Sequence, residues 1–114
     1  MAVAFHKLVR DRIPAIIENQ GERPLTRRLG DAEYRACLER KLAEETAEYL
    51  ESHELDELAD ILEVVYALCK AGGHSLSDLA AAYEKKHAVR GGFDERIFLL
   101  ERVIEILGRK DDST

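Results

Sequence analysis

Apolar positions along the chain recur mostly at intervals of three and four, the period of α-helices with one face turned inward. Pro14 suits the first turn of a short helix running through Asn19, which Gly21 terminates. Residues 22–30, with Pro24, read as a loop that holds at most a short extended piece at 25–29. Asp31 is placed to cap a long helix over 31–51, and Ser52 to cap a second that stops at Gly72-Gly73. Ser75 and Asp78 form a capping box that opens a third helix through Arg90, with Leu76, Leu79, Ala80 and Tyr83 along one face. Gly91-Gly92 then breaks the helix, and residues 96–107 are periodic enough for a final short one.

These elements predict an all-α fold. Its core is an antiparallel helical hairpin turning at Ser52 and His53, packed as a helical bundle and completed by oligomerisation. Residues 1–108 form a single domain on this reading, and 109–114 a disordered tail.

Within the hairpin, Leu38, Leu42 and Tyr49 make the apolar stripe of the first helix, and Glu45 falls inside it. On the second helix Glu57 heads the stripe of Ile61, Val64 and Leu68, with Asp60 at its edge. Glu45 and Glu48, like Glu57 and Asp60, are spaced i,i+3 and project from one side of their helix. The two pairs are nearly equidistant from the turn, so an antiparallel hairpin brings all four to similar heights. Four carboxylates at an apolar seam repel one another unless paired or neutralised. A hard divalent cation with oxygen ligands, Mg2+ or Mn2+, resolves that conflict. The bland alternative is a solvated acidic face.

Composition narrows the partners. The 114 residues suffice for one domain with a modest core, and the formal net charge of −6 argues against broad binding of nucleic acid or anionic membranes. No apolar run is long enough to span a bilayer and no secretory leader is apparent, so a cytoplasmic location is the expectation. Cys37 and Cys69 are expected as buried free thiols. The basic residues cluster at Lys7, Arg10 and Arg12 and again at Lys85, Lys86, His87 and Arg90.

Four segments resemble a known family. KLVRDRIPAII at 7–17, EExxE at 44–48, ExxD at 57–60 and KxxxRGGF at 86–93 are similar to the all-α nucleoside triphosphate pyrophosphohydrolase superfamily. Within it they look most like the small MazG-like and phosphoribosyl-ATP pyrophosphohydrolase-like proteins, over roughly residues 5–100. The resemblance implies Mg2+-dependent cleavage of a nucleoside triphosphate between the α and β phosphates, giving a monophosphate and pyrophosphate. House-cleaning of non-standard nucleotides is one such role.

Carried over by motif, Glu45, Glu48, Glu57 and Asp60 hold the metal. Glu44 or Glu48 takes the proton of the attacking water, and Lys7, Arg10, Lys86 and Arg90 meet phosphate. Homodimers or homotetramers are implied as well. His6 stands where many relatives carry Asn, and the gap between EExxE and ExxD is shorter than in many MazG proteins. RGGF replaces the serine-glycine segment of the histidine-pathway enzyme. Phosphoribosyl-ATP hydrolysis is therefore one alternative, and a non-catalytic helical dimerisation or binding module another.

Overall fold

The computed structural model of the chain describes residues 1–2 and 5–106; the expected tail at 109–114 lies outside them. The described residues contain four helices and no strand: α1 (Ile13–Asn19), α2 (Asp31–Ser52), α3 (Leu55–Ala71) and α4 (Leu76–Arg90). They fall into two compact units, the first running from Met1 to Ala82 and the second from Tyr83 onward.

In the first unit α2 and α3, joined through His53 and Glu54, are the two helices that pack on each other. Their facing stripes bury Leu38 and Val64 and half-bury Leu42, Tyr49, Ile61 and Leu68. Near the start of α2, Arg35 donates a 2.9 Å hydrogen bond to the carbonyl of Ala71 at the end of α3.

Glycine in the left-handed region closes both α1 and α3. At Gly21 (φ 84°) the amides of Gly21 and Glu22 donate back to the carbonyls of Glu18 and Ile17. At Gly73 (φ 88°) the amides of Gly73 and His74 do the same to Lys70 and Cys69. This paired pattern satisfies carbonyls that the end of a helix leaves without partners. His53 ends α2 in the same left-handed region (φ 59°), which His enters more readily than most side chains.

Two caps differ from expectation. The cap position of α2 is Gly30, in extended conformation, and Asp31 is already helical; together with Glu33 it acts on the helix dipole by charge. Ser52 belongs to the last turn of α2, where its hydroxyl accepts from the Glu54 amide, and Glu54 precedes α3 without a side-chain cap. The capping box before α4 does form: Ser75 N donates to Asp78 Oδ2 at 2.9 Å, and Asp78 N to Ser75 Oγ at 3.0 Å. Hydrogen bonding to Ser75 pulls the Asp78 carboxyl below its ordinary range.

In the second unit, the expected final helix is absent among the described residues, 107 lying outside them. Gly91 takes φ 76°, and residues 97–106 run without helical hydrogen bonds, leaving Ile97, Phe98, Leu100, Val103 and Ile104 exposed. A short amphipathic segment gains little from helix formation alone. The face expected on α4 is also largely open, with Tyr83 65% exposed. The cysteines are free but half-buried, not buried, and Cys69 Sγ lies 3.3 Å from the Ser75 carbonyl.

Gly73 has open space where a side chain would stand, so Gly73→Ala meets only the backbone cost of positive φ. Chemical denaturation of that variant should show a loss of about 1–2 kcal/mol.

Candidate metal centre

Glu45 on α2 and Glu57 and Asp60 on α3 each bring one carboxylate oxygen within 4.8 Å of the others. The packing that produces this is the same that buries Leu38 and Val64, because Glu45 and Glu57 occupy positions in the two facing stripes. Glu48 is exposed and stands outside the triplet. By helical period it falls on the row of Cys37, Lys41 and Glu44, one row round from Leu38 and Glu45. Its charge still reaches the cluster and acts on both Glu45 and Glu57.

Glu45 is the deepest of the set, at 9% exposure. Its Oε2 lies 3.6 Å from Lys41 Nζ, one turn earlier, and its Oε1 is buried with no hydrogen-bond partner. Burial is the main cause that raises its carboxyl above the ordinary range; Glu48 and Asp60 add to it, and Lys41 opposes. Glu57 is raised as well, first by desolvation and then by Glu48, Asp60 and Glu45. Asp60 is answered differently, by Arg10 Nη2 at 2.6 Å from its Oδ1.

The donor set fits a hard cation. All three groups offer carboxylate oxygen, and Mg2+ or Mn2+ takes oxygen ligands at about 2.0–2.1 Å, so opposed ligands stand about 4.1 Å apart. Closing the triplet onto one ion needs only small side-chain shifts. The partnerless Oε1 of Glu45 is the atom with most to gain, since a buried acceptor without a partner costs about 1–3 kcal/mol.

The other expected residues are distributed around this point. Glu44 is exposed and faces a separate small cavity, which Lys7 also lines. Arg10, expected at phosphate, is paired with Asp60. Lys86 and Arg90 lie exposed on the last turns of α4, in the second unit. Sequence reasoning missed the Arg10–Asp60 pair, whose members are 50 positions apart and share no local spacing. It also missed Lys41–Glu45, although the i,i+4 spacing was there to be read. A wider hollow of about 790 Å³ lies toward the other end of α2 and α3, near Tyr34, Arg35 and Ala71, and none of the four carboxylates borders it.

Comparison with known proteins adds one partial likeness. The chain is 55% identical over 42 residues to an uncharacterized protein of Mycolicibacterium smegmatis. That stretch covers 37% of this chain and 43% of the relative, so the match spans less than half the length of either. No family model matches the chain. No solved structure matches it.

Because Glu45 and Glu57 hold their protons more tightly in the folded chain than in the unfolded one, the folded state binds more protons from the ordinary 4.5 up to the raised values. Their contribution to stability is therefore present below pH 4.5 and lost as pH rises through that window. Glu45→Gln removes one of the two groups. In metal-free buffer at neutral pH its melting temperature should exceed that of the parent chain by a few degrees, and its decline with rising pH should be shallower. A lower melting temperature at neutral pH would mean that the Lys41 pair outweighs the repulsion.

Proposed function

We propose that this chain is a Mg2+-dependent nucleotide pyrophosphohydrolase that cleaves a nucleoside triphosphate between its α and β phosphates. The observation that carries this reading is the convergence of Glu45, Glu57 and Asp60, one carboxylate oxygen of each within 4.8 Å of the others, with Glu45 also holding a buried oxygen that has no hydrogen-bond partner. The resemblance of the surrounding segments to the MazG-like proteins names the reaction. On this reading Glu45, Glu57 and Asp60 hold the ion, Mg2+ or Mn2+, and Glu48 completes the set from the rim.

When bound, the ion supplies neutralisation of phosphate charge and a more acidic water. The chain's own groups do the rest. Glu48 and Glu44, exposed in the row beside that of Glu45 and in no ion pair among the described residues, are the proposed acceptors of the attacking water's proton, Glu44 from the side of the neighbouring cavity. Lys7, Lys86 and Arg90 are the cations for the polyphosphate, and Arg10 joins them once an ion takes over Asp60. Substitution at phosphorus asks chiefly for positioning and charge neutralisation, and these residue types provide both.

A homodimer or homotetramer is part of the proposal, with the α2–α3 hairpin as the core of a bundle. Leu38 and Val64 are the buried aliphatic side chains of the described residues, each worth at most about 1.5–3 kcal/mol. Leu55, Leu58 and Leu62 meanwhile form a second stripe on α3 that is 45–79% exposed. No helix of the described residues is long and apolar enough to cross a membrane. A cytoplasmic location and the absence of nucleic-acid partners complete the reading. One observation favours a different one: the Arg10–Asp60 pair already balances part of the cluster, as in a charge-balanced, non-catalytic helical module.

The deciding assay follows pyrophosphate and orthophosphate release with Mg2+ across ordinary and modified nucleoside triphosphates and phosphoribosyl-ATP. Pyrophosphate release from at least one, cut about 100-fold or more in Glu57→Gln and Asp60→Asn, is the expected result. Release of orthophosphate alone, or none from any substrate, would sink the proposal.

Metal binding is tested separately by Mn2+ titration followed by electron paramagnetic resonance. Arg10 holds the Asp60 carboxylate by an ion pair that a bound cation would weaken, so Arg10→Gln should bind Mn2+ more tightly than the parent chain, and Glu57→Gln more weakly. Millimolar Mg2+ should also raise the melting temperature of the parent chain by mass action on the folded state.

A further inference from the structure

Beside the acidic cluster lies a second one of opposite sign. Cys37, Arg40, Lys41 and Glu44 recur at i, i+3, i+4 and i+7 and therefore share one side of α2. The N-terminal segment crosses that side, adding His6, Lys7 and Leu8, and the seven residues line a small cavity of about 60 Å³. His6 holds φ 48°, a left-handed backbone that a non-glycine residue adopts at some cost.

The lining sets Lys7, Arg40 and Lys41 against the one carboxylate of Glu44, in a chain of formal net charge −6. Clustered positive charge is unfavourable unless an anion answers it. The protein supplies little of that answer. Arg40 Nη2 rests 3.3 Å from Cys37 Sγ, and among the described residues neither Lys7 nor Arg40 enters an ion pair. Lys41 leans toward Glu45 at 3.6 Å, outside hydrogen-bond distance. At about 60 Å³ the cavity is small, with room for a compact group.

We propose that this cavity is a subsite for a phosphate-sized oxyanion, held by Lys7, Arg40 and Lys41. The anion is either free phosphate or pyrophosphate, or the terminal phosphoryl group of a nucleotide. As the seat of the group that departs in the reaction above, the subsite rests on that reading; as an anion site it stands without it. Lys41 borders both clusters, so an anion here lies next to the carboxylates along the same turns of α2. The planar fork of Arg40 suits two phosphate oxygens at once.

The test is calorimetric titration of the full chain, in metal-free buffer with chelator, using inorganic phosphate, pyrophosphate and a non-hydrolysable nucleoside triphosphate. Amide NMR shifts recorded alongside locate the binding. Expected are saturable pyrophosphate binding with shifts at 6–8 and 37–44, and about tenfold weaker binding in Lys7→Gln and in Arg40→Gln. Arg40→Lys should recover part of the loss, and Lys70→Gln should change nothing.

Tighter binding of the triphosphate than of pyrophosphate assigns the subsite to a nucleotide, and equal binding assigns it to the free anion. No binding of any of the three, or binding indifferent to both Gln variants, overturns the proposal. Glu57→Gln separates the two readings, since it should lose hydrolysis and keep the anion. A wild-type chain that binds pyrophosphate without hydrolysing nucleotides would remove the reaction and leave the subsite.

Discussion

Glu45 sets the terms on which α2 and α3 lie together. It occupies a place in the apolar stripe that an aliphatic side chain would fill, and packing the two helices closes solvent over one of its oxygens without offering a donor. Glu57 and Asp60 then arrive opposite it, so the same apposition that buries Leu38 and Val64 also compresses like charges. The helix pair answers from its edges: Lys41 from one turn earlier, Arg10 from the N-terminal segment, and the Arg35 bond to the Ala71 carbonyl away from the cluster. None of these reaches Glu45 Oε1. A seam with a leucine at 45 and an alanine at 57 would pack without that conflict, and the proposed ligand is what would relieve it here.

Much of this was legible in the residues, for physical reasons that also explain the exceptions. Gly21 and Gly73 stop helices because each backbone turns left-handed there, and the box of Ser75 and Asp78 starts one through two local bonds. Both are short-range events. The placing of Glu45 and Glu57 in facing stripes was equally visible, since helical period alone fixes it. Caps depend on one residue of backbone, and there the reading slipped: Gly30 in extended conformation displaced Asp31 from the cap, and His53 in left-handed conformation kept Ser52 inside α2.

Pairings without a local rule were not legible. Arg10 and Asp60 meet across 50 positions, and Arg10 sits in a segment with no hydrophobic period to orient it. The basic residues of that segment read as a phosphate-facing patch, whereas in the folded chain one of them is committed to a carboxylate. The helix expected at 96–107 failed for a different reason. Periodicity states that a face is apolar, but not that anything stands ready to cover it. Ile97 to Ile106 carry the pattern and stay exposed.

The N-terminal segment ties the two charge clusters into one system. Arg10 reaches the acidic cluster, while His6, Lys7 and Leu8, a few residues earlier, wall the cationic cavity. On the proposed reading a divalent ion and Arg10 contend for the charge of the same Asp60 carboxylate, so loading the ion weakens the tether at one end of this wall. Lys41 makes the reverse connection, because an anion that draws it into the cavity takes it from Glu45 and leaves that carboxylate more in need of a cation. Coupling of this kind is reciprocal: whatever free energy the ion gains from the anion, the anion gains from the ion. A site built this way holds cation and oxyanion best together, the combination that a metal-bound polyphosphate presents.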